Sequence, residues 1–325
     1  MSQLVSSLEK PRLLTGWQLA LALFRGKLVP GMAWRHRFYR GKFLFRHLWT
    51  AAYSVPWLRY LACCPILPEI LQSQPGLPCK LHRPYLASNM NHKQQLAALV
   101  YHYDYIQQHL PRPLLNGHLT RSGIVLATLE GKNGQQFYLR LGSLDNLNRE
   151  GEATVLITDE RGVMLAEMTF VITPEQGTTL FIGGLQGAQR QVPHEAIHLA
   201  TKSCHGLFPK RLVLEAVTLL ATNLGARQIL AVGNRTHMYQ EWRYFYKKKG
   251  FLHADYDNFW LSMQAQPHGE GYFRLPLAIT RKGLETLPSK KRAEYRRRYE
   301  LLDRLAAQIN AFFPHTTGAG GTSRA

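Results

Sequence analysis

A chain of 325 residues with 45% hydrophobic and 11% aromatic content is composed like a folded protein, which excludes a largely disordered one and leaves room for one large domain or two ordinary ones. The 40 basic against 21 acidic residues give +19, concentrated at the ends: residues 1–85 carry 12 Lys/Arg and 2 Asp/Glu, residues 281–325 carry 10 and 4, and the middle carries 18 and 15. A nearly neutral body with two basic ends points to polyanions, either an anionic membrane face or nucleic acid, through fields that salt screens.

The first residues, MSQLVSSLEKPRLL, lack the basic start and apolar run of a secretory signal. Trp17–Phe24 is too short to span a bilayer, and Leu48–Leu71 is interrupted by Pro56, Arg59, Pro65 and Pro68, so no transmembrane helix is expected. Residues 17–72 interleave aromatics with cations, as in Trp34-Arg35-His36-Arg37-Phe38-Tyr39-Arg40. That mixture suits an anionic bilayer interface, suits stacking on single-stranded nucleic acid, and equally suits a helical layer whose aromatics face its own core. Cys63, Cys64, Cys79 and Cys204 offer no metal-ligand spacing. No metal site is expected, and a reduced, cytosolic compartment is the simplest reading.

Residues 75–84, PGLPCKLHRP, read as a linker or turn. A helix is expected to follow, with Leu96, Leu99, Val100, Tyr103 and Ile106 on one face, Asn91 capping its start and Pro111 after its end. The texture then changes to strands. Segments 124–130 and 136–142 flank Gly131-Lys-Asn-Gly134, segments 154–158 and 163–172 flank Asp159-Glu-Arg-Gly162, and 178–183 follows. This predicts an antiparallel meander of about five strands ending in Gly183-Gly184-Leu-Gln186-Gly187, where glycine permits a ligand to approach the backbone or simply makes a turn.

Two helices are predicted at 193–203 and 209–223, separated by Cys204-His-Gly-Leu-Phe208. A short apolar strand at 228–232 reads as interior, with Asn234 just past its end, where ligands often sit in mixed sheets. A turn at Gly233-Asn234 is the plainer reading, and His237 has no partner at metal-site spacing. A helix over 238–249, a strand near 257–263, a further stretch at 272–278 and a basic amphipathic helix over 290–313 complete the ordered chain. The fold class is therefore α/β (α+β), a meander followed by α-β-α-β. It divides into a basic, aromatic-rich, mainly helical region (1–84), a core (85–280), a basic helix (281–313) and a disordered tail (314–325).

At HGLFPKRLVLEA, ILAVGN, WRYFYKKKGFLHADYDNFW and LPSKKRAEYRRRYELL the chain closely resembles the VirK/YbjX family, over roughly 42–313. That resemblance implies a bacterial setting of virulence, envelope integrity and resistance to cationic antimicrobial peptides, and it carries over no catalytic residue. The order of elements also resembles the GNAT acyltransferase fold, in which a loop after the last meander strand holds the coenzyme A pyrophosphate at a helix N-terminus. The usual Gln/Arg-x-x-Gly-x-Gly/Ala loop is replaced here by Gln186–Arg190 or Gly206–Arg211.

On that resemblance, an acyl-CoA or acyl-carrier-protein donor would be held by Gly183, Gly184, Gln186, Gly187, Gly206, Lys210, Arg211 and Asn234. His205 or Glu215 would act as base, and Tyr246 of Tyr246-Lys-Lys-Lys-Gly250 as acid. Each has a plain structural alternative: His205 bridging loops, Glu215 pairing along its helix, Tyr246 in the core. Two readings stay open: an acyltransferase, cytosolic or peripheral on the inner membrane, and a non-enzymatic module binding anionic membrane or protein through a degenerate GNAT-like fold. Nucleic acid ranks last as partner, because no recognised binding motif supports it.

Overall fold

The computed structural model of the protein describes residues 15–240 and 255–313. Four helices open it: α1 (Gly16–Arg25), α2 (Arg37–Trp49), α3 (Ala51–Cys63) and α4 (Leu67–Ser73). Thr15 starts α1 with a capping box, accepting from Gln18 N–H while the Gln18 side chain takes Thr15 N–H. The aromatics of this region divide. Trp34, Phe43 and Trp57 are buried, whereas Trp17, Phe38, Phe45 and Trp49 are exposed.

Segment 75–84, read as a linker or turn, is a turn that runs into a 3-10 helix and not a linker. Leu77–His82 forms a 3-10 helix whose Leu77, Lys80 and Leu81 are buried. Trp34 and Trp57 donate their indole N–H groups to Pro75 and Leu77 carbonyls (2.7 and 3.1 Å), so the segment is clamped under the helices. Lys80 reaches into the sheet, placing Nζ 2.7 Å from Glu152 Oε1 and 2.9 Å from Gln74 Oε1. The same carboxylate accepts from Tyr103 Oη.

Helix α5 (His92–His109) starts where Asn91 was expected to cap it, through a capping box with Gln94. After α6 (Arg112–His118) come β1 (Ile124–Glu130), β2 (Gln136–Gly142), β3 (Ala153–Asp159), β4 (Met164–Thr173) and β5 (Thr179–Gly187). They form the expected antiparallel meander. Strand β4 is buried along almost its whole length, with α5 and α8 (Pro209–Asn223) both packed against it. Helix α7 (His194–Ser203) precedes α8, and β6 (Gln228–Val232) then joins β5 in parallel.

Beyond β6 the structure departs from expectation. Residues 257–263, read as a strand, lie in and just after a helix, α9 (Tyr256–Ser262). Asp255 caps it by accepting from Asn258 N–H, and Asn234 Oδ1 accepts Tyr256 N–H at 2.9 Å. Aromatic content alone suggested a strand; the Asp-Tyr-Asp-Asn start makes a helix. The sheet closes with β7 (Gln266–His268) and β8 (Tyr272–Leu275), giving the order β1-β2-β3-β4-β5-β6-β8-β7. Of the helix expected over 238–249, Met238–Gln240 is a 3-10 turn; the rest, and the tail expected at 314–325, lie outside the described residues.

The last helix, α10 (Ser289–Asn310), runs along β1. There the Gln308 amide accepts Thr128 N–H and donates to Thr128 C=O, both at 2.9 Å. Buried side chains from Leu19 to Ile309 belong to one apolar cluster. Among the described residues no helix is long and apolar enough to cross a membrane.

Candidate active-site cleft

One sheet irregularity shapes the site. In the β4–β5 ladder Thr169 faces Gly184 and Phe170 faces Ile182, so Gly183 is an extra residue, a β-bulge. Bulges bend a strand and sharpen its twist. Pairing with β6 stops at Ile182↔Ala231, and β5 continues alone on that side to Gly187. Beyond the bulge lies a cleft of ≈ 940 Å³, walled by β4, β5, the loop 188–192 and the first turns of α7 and α8.

The glycines at this bend make room for protein rather than for a ligand. A Cβ on Gly183 would sit 2.0 Å from Glu150 O, and one on Gly184 1.8 Å from Glu150 Oε2. Glu150 is thus pressed against the bend, 1% exposed, where Gln186 Nε2 donates to both its carboxylate oxygens (2.9 and 3.2 Å). His237 Nε2 lies 3.9 Å from Glu150 Oε1 and 3.2 Å from Tyr256 Oη. Tyr239 N–H faces His237 Nδ1 at 3.4 Å. Tyr256 oxygen accepts from Leu185 N–H (3.2 Å) and shares a hydrogen bond with His237 Nε2. Burial holds that phenol protonated, well above its ordinary range.

Two further groups line the cleft. Glu167, opposite Gln186 on β4, is pushed by burial alone from 4.5 to about 7. Lys210, in the first turn of α8, is lowered, again by burial. Its stem passes close to Gly187, where a Cβ would meet Lys210 Cε at 3.3 Å. The chemistry on offer is a carboxylate that titrates near neutrality, a cation at a helix start and a tyrosine hydroxyl able to donate.

Of the residues singled out from sequence, Gln186, Gly187 and Lys210 line this cleft, and Gly183 and Gly184 form the bend beside it. The others are set apart. Arg211 and Glu215 pair along α8 at 2.7 Å, with Arg211 Nη1 also 3.1 Å from Met263 Sδ. His205 and Gly206 take left-handed backbone (φ 54° and 82°) under α10, where Arg298 Nε donates to His205 O at 2.9 Å. A Cβ on Gly206 would strike the Arg298 guanidinium, so this glycine admits α10. Cys204 beside it is buried, and burial pushes its thiol up to about 12, away from nucleophilic use. Asn234 spends its side chain on Tyr256 N–H and Asp255 Oδ1 (3.1 Å), at the turn its neighbours suggested. Tyr246 lies outside the described residues.

Glu150, Glu167, His237 and Tyr256 were not singled out from sequence. Only His237 carried a signal, as a histidine just past an interior strand. The carboxylates come from a loop and from a strand that reads as plain meander.

These features define a mixed α/β protein, one eight-stranded sheet with a cleft beside the part of β5 that runs past β6. The chain belongs to the VirK/YbjX family: the model of a protein family of unknown function, DUF535, matches residues 32–311. It is 46% identical over 315 residues to the uncharacterized protein YbjX of Escherichia coli K12, covering 96% of this chain and 95% of that one. Two uncharacterized proteins of Haemophilus influenzae are also similar. One is 25% identical over 79% of this chain and 87% of its own length, the other 34% identical over 44% and 47%.

Proposed function

We propose that the cleft carries out acyl transfer from a thioester donor, acyl-CoA or acyl-carrier protein. The stretch of β5 that runs past the end of β6, from the Gly183 bulge to Gly187, carries this reading, because it borders the cleft next to the start of α8. A strand edge left unpaired beside a helix start is where a pantetheine arm would lie in the GNAT-like order of elements. Lys210 offers its charge and, at the start of α8, its own backbone N–H to the donor's phosphates, since Pro209 has no N–H and Arg211 and Leu212 N–H donate to Phe208 O. Glu167 takes the proton of an attacking amine or hydroxyl, the nucleophile bonds to the thioester carbon, the C–S bond breaks, and the thiolate leaves with a hydrogen bond from the Tyr256 hydroxyl. In keeping with the resemblance to VirK/YbjX proteins, the acceptor is a lipid or peptide of the bacterial envelope, met at the inner face of the inner membrane.

The test is calorimetry of the full chain with coenzyme A, acyl-CoA and acyl-carrier protein, followed by transfer to amine and hydroxyl acceptors. Micromolar binding is expected, weakened about tenfold in Lys210→Ala. Glu167→Gln should keep donor binding and lose about a hundredfold in kcat. No binding of any donor at high micromolar concentration would end the reading. A second reading is favoured by the polar side chains already spent on the protein, Gln186 on Glu150 and Asn234 on α9: a binding module without turnover. Donor binding with no transfer to any acceptor would select it.

A further inference from the structure

Twelve large hydrophobic side chains are exposed among the described residues, and nine of them fall within 17–49, so apolar exposure is concentrated on α1, α2 and their connection. On α1 Trp17, Leu21 and Phe24 repeat at i, i+4 and i+7, opposite the buried Leu19, Ala20 and Leu23. On α2 Phe38, Phe45 and Trp49 repeat at i, i+7 and i+11, with exposures of 84%, 66% and 81%. The inner side of α2 is already filled. Phe43 packs edge-on to Trp34 (5.1 Å) and stacks on His47 (5.8 Å). Helix α2 is therefore apolar on two opposite sides, only one of which serves the fold.

The two helices lie side by side and antiparallel. Trp17 meets the His47 ring edge-on at 5.8 Å, while a Cβ on Gly26 would strike the Arg40 guanidinium. Between residues 15 and 50 there are seven Lys/Arg and no Asp or Glu. A second copy docked on this surface would set seven cations against seven. Nucleic acid would match the charge, but Leu21, Val29, Met32 and Leu48 are exposed too and have no ring to stack on bases. Aliphatic and aromatic side chains together, ringed by cations, match the headgroup–acyl boundary of a bilayer.

We propose that the outer face of α1 and α2 docks this protein on an anionic phospholipid surface, with Phe38, Phe45 and Trp49 entering the interface and Arg37 and Lys42 meeting lipid phosphates. The proposal does not depend on the chemistry of the cleft.

The test is flotation of the full chain with phosphatidylcholine vesicles and with vesicles that also contain phosphatidylglycerol. Binding is expected to be about tenfold or more tighter to the anionic vesicles at low salt and to fall as salt rises. Phe45→Ser with Trp49→Ser should lose about tenfold or more on both vesicle types at an unchanged melting temperature, since both side chains are exposed. Arg37→Gln with Lys42→Gln should instead reduce the preference for anionic over neutral vesicles. Equal binding to both vesicle types, or a double serine variant that floats like the parent, would overturn the proposal. So would binding of that face to single-stranded DNA in place of vesicles, or a dimer that the serine variant dissolves.

Discussion

Two carboxylates buried in the same sheet have opposite surroundings. Glu152, just ahead of β3, lies at a closed end, bound by Lys80 at 2.7 Å and by Tyr103, while Gln74 Oε1 and the Asn148 carbonyl also accept from Lys80. Glu167, on β4, lies at the open end, lining the cleft, and burial is the only influence that moves its titration, up to about 7. Burial is shared, so burial does not distinguish a structural acid from a reactive one. The partner does: a fixed cation ties one carboxylate to the fold, while the other is left to exchange protons near neutrality.

The largest effect should come from separating the closed pair. Lys80→Ala leaves Glu152 buried without its cation and should cost about 3–5 kcal/mol in denaturant unfolding. Lys80→Met with Glu152→Met should recover most of that, because an apolar pair avoids the desolvation of both charges. A loss under about 1 kcal/mol in the single variant would remove the contrast.

The open end should respond to pH instead. Glu167 titrates higher in the fold than in the unfolded chain, so the stability its neutral form contributes is complete below about 4.5 and is lost as pH rises to about 7. A change of that size corresponds to at most about 3.4 kcal/mol across that window, and Glu167→Gln should flatten it in melts recorded against pH. Equal pH slopes in parent and variant would mean that Glu167 ionises as it does in the unfolded chain.

A smaller effect is expected at the bend between them. Gly184→Ala sets a methyl against Glu150 Oε2 and should cost about 1–3 kcal/mol while weakening donor binding more than Lys80→Ala does at matched stability. An alanine variant as stable as the parent would show that Glu150 can leave its place freely.

Much of the frame was legible in the chain. The Gly131–Gly134 and Asp159–Gly162 turns announced the meander, Asn91 the start of α5, and Pro209 and the apolar run of 228–232 the helix and strand that follow. These signals are local, fixed by backbone chemistry within a few residues. The cleft is not local. Glu150, Glu167, Lys210, His237 and Tyr256 are scattered over more than a hundred residues, and only the pairing of β4 with β5 and the turn after β6 bring them together. The glycine pair was noticed as a place where something approaches the backbone; that the visitor is Glu150 depends on a loop folded over from before β3. At 75–84 the turn was legible and the packing was not, because Pro and Gly report backbone conformation and say nothing of the two indoles clamping it.

The contact between Gln308 and Thr128 has a consequence for solubility. An open sheet has two rims, each offering unpaired peptide groups to any passing chain. Here one rim, β7, is only three residues long, and the other, β1, is shadowed by α10, whose Gln308 amide imitates a neighbouring strand's peptide. The C-terminal helix thus acts as a guard against intermolecular strand pairing. Proteolytic loss of it would be felt first as clumping of otherwise folded molecules.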